Sequence, residues 1–292
     1  MNRVFIVGCG YIGLRVARLW EDEGASVSAL ARSPESARPL EERGIAPVQG
    51  DLDEPATLVG LPIKGTWAYY LAPPPERGDA DPRMRAFLDR IPPGEEPEKI
   101  VSMSTTAVYG DLHGEWATEE TPPAPATARG RRRLDAERAV LSWGRQRGIS
   151  VVILRVAGIY GPGRLPLDKV RKRTPVLAGS ESPCSNRIHA DDLARVCVAA
   201  AKRGRGGAVY NVSDGQPGTI SQYYCAVADR LGVPRPPEVT MSEARRVMSE
   251  AMLSYLSESK RVDNRKMREE LGVELLYPDL DSGLAASFVD GG

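Results

Sequence analysis

Residues 4–20 read VFIVGCGYIGLRVARLW. Four apolar residues run straight into Gly8, Gly10 and Gly13, and the residues after them place apolar side chains at helical spacing. A strand, a glycine turn and a helix in that order make a seat for a dinucleotide, and each glycine has its own task. Gly8 makes the tight turn, Gly10 lets the backbone approach a pyrophosphate, and Gly13 lets the helix pack closely on the strand. Tyr11 and Ile12, at the head of the helix, belong to the same site, because the free N–H groups there favour an anion.

The same rhythm continues outward. RVFIV (3–7), SVSAL (26–30), APVQGD (46–51), TWAYYLA (66–72), KIVSMST (99–105) and SVVILRV (150–156) read as strands. Helical patterns lie between them, from about Ile12 to Glu23, Glu35 to Arg43, Pro82 to Arg90 and Ala128 to Gln146. Alternating strands and helices predict an α/β fold of Rossmann type, a doubly wound parallel sheet with both faces covered. Beyond Gly161 the chain turns rich in Pro, Gly and charge and should leave the sheet, returning with RIHADDLARV and AVYNVSD (208–214). Helices are expected near 219–231, 241–254 and 263–271. The predicted organisation is a dinucleotide-binding domain of 1–164 plus about 187–214, and a smaller, mostly helical C-terminal lobe of about 165–186 plus 215–292.

Composition narrows the function. In 292 residues, 39 basic and 39 acidic side chains balance, so no net field draws the chain to nucleic acid or an anionic membrane. Cys9, Cys184, Cys197 and Cys225 are scattered without a CxxC pair, which argues against a zinc site or a disulfide framework. The chain enters its first strand without a basic leader, and no apolar run is long enough to span a bilayer. A cytoplasmic protein acting on a small molecule, with no metal, is the expectation.

The choice of dinucleotide turns on the end of the second strand, where an acidic residue would hold the ribose 2′-hydroxyl of NAD. Here Ala31 takes that place and Arg32 is next to it. A guanidinium suits a 2′-phosphate, so NADP is preferred over NAD. Asp51, ending the third strand, can accept from the adenine amino group or cap the next helix. Leu71 and Ala72, at the end of the fourth, complete the cofactor wall.

Four further stretches occur in order: VSMSTTAVYGD (101–111), LRVAGIYGPGR (154–164), RIHADDLARV (187–196) and YNVSDGQPGTISQYY (210–224). Together with the glycine loop they resemble the extended short-chain dehydrogenase/reductase family of NAD(P)-dependent epimerases and dehydratases. The resemblance implies a hydroxyl after the fifth strand, which falls on Thr105, and a Tyr and Lys spaced YxxxK on the next helix. In ARGRRRLDAE those positions hold Arg129 and Arg133. Arg133 can still donate to a ribose hydroxyl, but Arg129 cannot shuttle a proton near neutrality, since a guanidinium stays charged. Either arginine can also meet an anion, or simply be solvated at the helix start. Tyr109 and Tyr160, at neighbouring strand ends, are alternative acids, and His113 and His189 are weaker ones.

The substrate side departs as well. Where relatives that bind sugar nucleotides carry an arginine four residues before the histidine of the IH pair, this chain has Ser185. Arg164, Lys169, Arg171, Lys172 and Arg173 offer another anion site or an ordinary solvated run. Three functions fit: an oxidoreductase on a small carbonyl or hydroxyl substrate with a non-standard proton donor, a non-catalytic dinucleotide-binding regulator or scaffold, and an isomerase or lyase without net redox change. The resemblance is also compatible with a homodimer through the helices near 82–90 and 128–146.

Overall fold

Strand propensity and continuous apolar runs build the centre of the protein. In the computed structural model, which describes residues 2–289, seven strands form one sheet. They are β1 (Arg3–Val7), β2 (Ser26–Ala31), β3 (Ala46–Gln49), β4 (Trp67–Tyr70), β5 (Lys99–Thr105), β6 (Ser150–Val156) and β7 (Val209–Val212). Their order is β3-β2-β1-β4-β5-β6-β7, and every pairing is parallel. The order reverses between β1 and β4, which leaves a crevice at the carboxyl ends of the strands where ligands bind in such sheets. This is the Rossmann-type α/β fold that the sequence predicts.

Each central strand is apolar on both sides because both sides are covered. Val4 and Ile6 face α1 (Tyr11–Asp22) and α6 (Ala190–Arg203), in one core with Val16, Trp20, Tyr69, Val196 and Ala200. Phe5, Val7 and Tyr70 face the opposite layer, with Met84 and Phe87 of α3 (Pro82–Asp89) and Val140 of α4 (Ala128–Arg147). The polar ends of buried rings find partners: the Trp20 indole N–H donates to the Tyr69 hydroxyl at 2.8 Å. The remaining helix of this half, α2 (Pro34–Glu41), opens with a capping box of Ser33 and Ser36.

Helix α4 is held at both ends and in the middle. Thr127 Oγ1 accepts from Gly130 N–H at 3.2 Å, and Gly148 ends the helix with φ +68°. At Gly130 a Cβ would lie 2.7 Å from the Ala107 carbonyl oxygen, so only glycine allows this approach to the turn after β5. Further along, Glu137 meets Arg155 of β6, with Nη2 to Oε2 at 2.8 Å and the side chains only 3% and 6% exposed. Ser104 of β5 also donates to Glu137.

The later part of the chain is mostly helical. After α5 (Leu167–Arg171) come α7 (Ile220–Leu231), α8 (Met241–Val247), α9 (Glu250–Leu256), α10 (Arg265–Leu271) and α11 (Leu280–Val289). Two short pairings, Cys184–Ser185 with Gly218–Thr219 and Val176–Leu177 with Glu238–Val239, tie the stretch before α6 to the stretch after β7. The helix expected over 241–254 is two, because Met248 is extended and Ser249 caps a new start. Met267 and Leu271 of α10 pack with the α1 and α6 layer, so the tail returns to the sheet. Met1 of the expected first unit and residues 290–292 of the expected lobe lie outside the described residues.

Removing the Glu137 carboxylate strands the Arg155 charge in the core. Glu137→Ala should therefore cost about 3–5 kcal/mol in a urea titration, whereas Arg265→Ala, breaking the exposed pair with Asp263, should leave the unfolding midpoint unchanged.

Candidate active site

The glycine loop sits at the crevice and divides its three tasks in space. Gly8 has φ +93°, and a Cβ there would lie 2.5 Å from Ala72 N. At Gly13 a Cβ would come within 2.7 Å of the Gly8 carbonyl oxygen, so turn and helix are locked together. A Cβ at Gly10 would meet nothing within 4 Å, which leaves open the space in front of the α1 N-terminus. No acidic residue stands in the first turn of α1 to compete with an anion. The donor set and the cradle therefore fit a dinucleotide diphosphate.

The groove in front of this loop has a volume of about 570 Å³. Gly8, Gly10, Tyr11, Ile12 and Gly13 line it from one side, Arg32 and Asp51 from the ends of β2 and β3, and Leu71 and Ala72 from the end of β4. Nine residues assigned from sequence alone thus share one wall. Arg32 is exposed there, and Ser36 of α2 stands beside it in the lining. Nearby Asp53 is held by Arg83, with Nε to Oδ1 at 2.6 Å, and this pairing keeps its carboxyl below the usual range.

Arg133, one helical turn beyond Arg129 and the tenth residue assigned to the cofactor, lies behind the groove wall and is not part of its lining. Its Nη1 donates to the Ala72 and Met103 carbonyls, each at 3.1 Å, and both residues line the groove. Burial pushes this guanidinium below its ordinary value, with Asp81 the first opposing influence. It remains a cation at the edge of the groove.

A second pocket of about 250 Å³ adjoins the first, and Ile159 and Arg164 line both. Thr105, Thr106 and Arg129 border it, as does Ser185. The Thr105 hydroxyl caps the turn after β5, accepting from Ala107 N–H at 3.3 Å. Arg129 is exposed and lies over the ring of Tyr255, 5.8 Å from its centroid. Arg164 stacks on Tyr11 at 4.6 Å, at the junction of groove and pocket. Of the basic run from 164 to 173, Arg164 is the member that reaches this pocket.

Tyr109 and Tyr160, expected as alternative acids, are core residues instead. Tyr109 is fully buried, and its hydroxyl donates to Asn211 Oδ1 at 2.7 Å while Arg155 covers its ring at 4.8 Å. Tyr160 packs edge-on to His189 and Tyr223, and its hydroxyl donates to the Asp279 carbonyl at 3.4 Å. Burial pushes both phenols up, away from neutrality. His189 is likewise buried, and its ring accepts from Asp191 N–H at the start of α6, while His113 is exposed beside Asp111.

The C-terminal wall of the pocket, Tyr255 of α9 with Glu258 and Lys260 just after it, has no site role assigned from the sequence. They arrive through pairing of Arg261–Val262 with Trp116–Ala117 and through Ser259 N–H donating to Asp111 Oδ1 at 2.8 Å. The one local signal is a polar stretch, SESK, directly before RVDN.

A parallel sheet in this order, with a glycine cradle at its switch point and a small polar pocket beside it, defines a dinucleotide-binding α/β protein. The model of the NAD dependent epimerase/dehydratase family matches residues 90–213. Protein YeeZ of Escherichia coli is 26% identical over 302 residues, covering 96% of this chain and 97% of that protein. A conserved protein of unknown function from Silicibacter pomeroyi has a structure 31% identical, with a TM-score of 0.84 and 99% of each chain covered. MoeE5, solved in complex with UDP-glucose and NAD, is similar in fold at 22% identity, with a TM-score of 0.76 over 99% of this chain and 98% of that one. By this match residues 90–213 belong to the NAD-dependent epimerase/dehydratase family, and the whole chain shares the fold of its solved neighbours. Among the described residues, no helix is long and apolar enough to cross a membrane.

The two glycines of the turn should respond differently to the same change. Because a Cβ at Gly10 meets no protein atom, Gly10→Ala should hold the melting temperature while dinucleotide binding, measured by calorimetry, is weakened. Gly8→Ala should lose both, because its φ and its contact with Ala72 forbid a side chain.

Proposed function

We propose that this chain is an NADP(H)-dependent oxidoreductase acting on a small carbonyl or hydroxyl compound, with its proton donor on the C-terminal wall of the pocket. The observation that carries this reading is the continuity of groove and pocket through Ile159 and Arg164, with Thr105 at the pocket's edge. In the groove, the N–H groups at the start of α1 face the diphosphate, Asp51 takes the adenine end and Arg133 the nicotinamide ribose. Bound there, the dinucleotide supplies or accepts a hydride. Arg32, just after β2, and Ser36 of α2 favour the 2′-phosphate, and no carboxylate occupies position 31 to hold a bare hydroxyl.

In the pocket, the Thr105 hydroxyl donates to the substrate carbonyl oxygen. Tyr255 is the phenol of the pocket lining, and it delivers the proton to that oxygen as the carbon is reduced, then recovers one from water. Arg129 stands in the place of the family tyrosine and contributes charge instead of a proton. A volume of about 250 Å³ falls below the roughly 300–1,000 Å³ of drug-sized ligand sites. Together with Ser185 in the lining, this favours a substrate smaller than a sugar nucleotide. Arg129 in the tyrosine's place equally favours a dinucleotide-binding protein without turnover, and the two readings part on activity.

Calorimetric titration should give at least tenfold tighter binding of NADPH than NADH, and Arg32→Ala should erase the difference. A preference for NADH would remove the 2′-phosphate assignment. With a panel of small aldehydes and ketones, Tyr255→Phe should lower kcat by about 10²–10⁴-fold with KM little changed. Unaltered turnover in that variant rules Tyr255 out, and no turnover by the unaltered protein on any carbonyl or alcohol favours the binding protein.

A further inference from the structure

The wall formed by Glu258 and Lys260 is more strongly built than a solvated edge. Both residues are buried, at 9% and 6% exposure, and both line the pocket. Lys260 Nζ donates to Glu258 Oε2 at 2.8 Å and to the Gly110 carbonyl at 2.6 Å, which fixes the carboxylate. The other oxygen, Glu258 Oε1, is buried with no hydrogen-bond partner among the described residues. A buried carboxylate oxygen left unpaired is costly, and a donor on a bound ligand relieves that cost.

Charge in the same pocket points to the rest of the ligand. Arg129, Arg164 and Lys260 stand against the lone carboxylate of Glu258 in the lining. Lys260 is spent on Glu258, and Arg129 has no carboxylate within ion-pair distance among the described residues. The lining therefore holds both an unpaired acceptor and an unpaired cation.

We infer that the pocket takes a small hydroxylated anion, a sugar phosphate or sugar acid, whose hydroxyl donates to Glu258 Oε1 while Arg129 meets its charge. Lys260 is a positioning residue, holding the carboxylate with one oxygen free. The inference rests on reading the adjoining groove as the seat of NADP(H), and it names the substrate class for that site. The space matches: a monosaccharide derivative fits about 250 Å³, and a nucleotide sugar does not.

The test uses the full-length protein saturated with NADPH, which keeps anions out of the glycine loop, and titrates four probes by calorimetry. D-ribose 5-phosphate and D-ribonate carry hydroxyls and charge, D-ribose carries hydroxyls alone, and n-pentyl phosphate carries charge alone. At least one hydroxylated anion should bind tenfold or more tightly than both D-ribose and n-pentyl phosphate, and which one it is separates phosphate from carboxylate as the charged group. Arg129→Gln should weaken the charged probes at least fivefold and leave D-ribose unchanged. Glu258→Leu combined with Lys260→Met removes both charges of the buried pair together. It should weaken the hydroxylated anion at least tenfold while n-pentyl phosphate stays within twofold.

Glu258→Gln, a gentler change, is measured beside the double variant and should lose at least fivefold on the same probe. A purely structural role would move the melting temperature and all probes alike. Equal affinity for hydroxylated and alkyl anions, no loss in the Glu258 variants, or no binding of any probe overturns the inference, and leaves Oε1 to a water. Failure to take up NADPH overturns the cofactor reading instead. The same probe ranking is then required of the protein alone.

Discussion

Helix α4 is fixed to the sheet by a buried ion pair, Glu137 with Arg155, and the geometry of both pockets depends on it. The pair satisfies most of its own demands, since Arg155 makes three contacts with the carboxylate and Ser104 adds a fourth hydrogen bond. A buried pair of this kind is not a large net source of stability, because desolvation offsets most of the attraction. Its effect is on position. With Glu137 anchored and Gly130 pressed against Ala107, the facing of the helix is set, so that Arg133 bonds the Ala72 carbonyl at the groove wall while Arg129 borders the adjoining pocket.

What the sequence reveals of this arrangement depends on how local the signal is. The glycine loop is contiguous, and its spacing alone places Gly8, Gly10 and Gly13 at a switch point that the sheet order then forms. Arg32, Asp51, Leu71 and Ala72 are legible for the same reason: each ends a strand, and parallel strands deliver their ends to one edge. On α4, the close approach of Gly130 to Ala107 and the pair of Glu137 with Arg155 fix which way the helix faces.

Side-chain direction at a strand end is less legible. Tyr109 and Tyr160 come after strands that open toward the crevice, yet one continues into a tight turn that carries its ring beneath Arg155, and the other points into the helical layer around Tyr223. Neither turn announces the side on which its ring will land. Tyr255, Glu258 and Lys260 are harder still, because nearly 150 residues separate them from the loop they pack against. No periodicity or spacing encodes that contact. It exists only once the tail has paired with the stretch at Trp116.

Arg129, at the position that the family resemblance assigns to a tyrosine, changes what the rest of the pocket must supply for the proposed chemistry. A tyrosine on α4 would provide the proton and remain neutral, whereas a guanidinium provides none and adds a permanent charge at a mouth already bordered by Arg164. Charge and donor counts alone then impose two demands. For the proposed reduction the proton comes from a wall other than α4, where the Tyr255 ring lies under the Arg129 guanidinium. On the same reading the ligand tolerates or uses the added cation, which is why an anion is proposed. On the proposed reading, an arginine at the place of the family acid and a charged, carboxylate-backed pocket are one change seen from two sides: the proton donor shifts from the helix to the stretch between Tyr255 and Lys260 that lines the pocket.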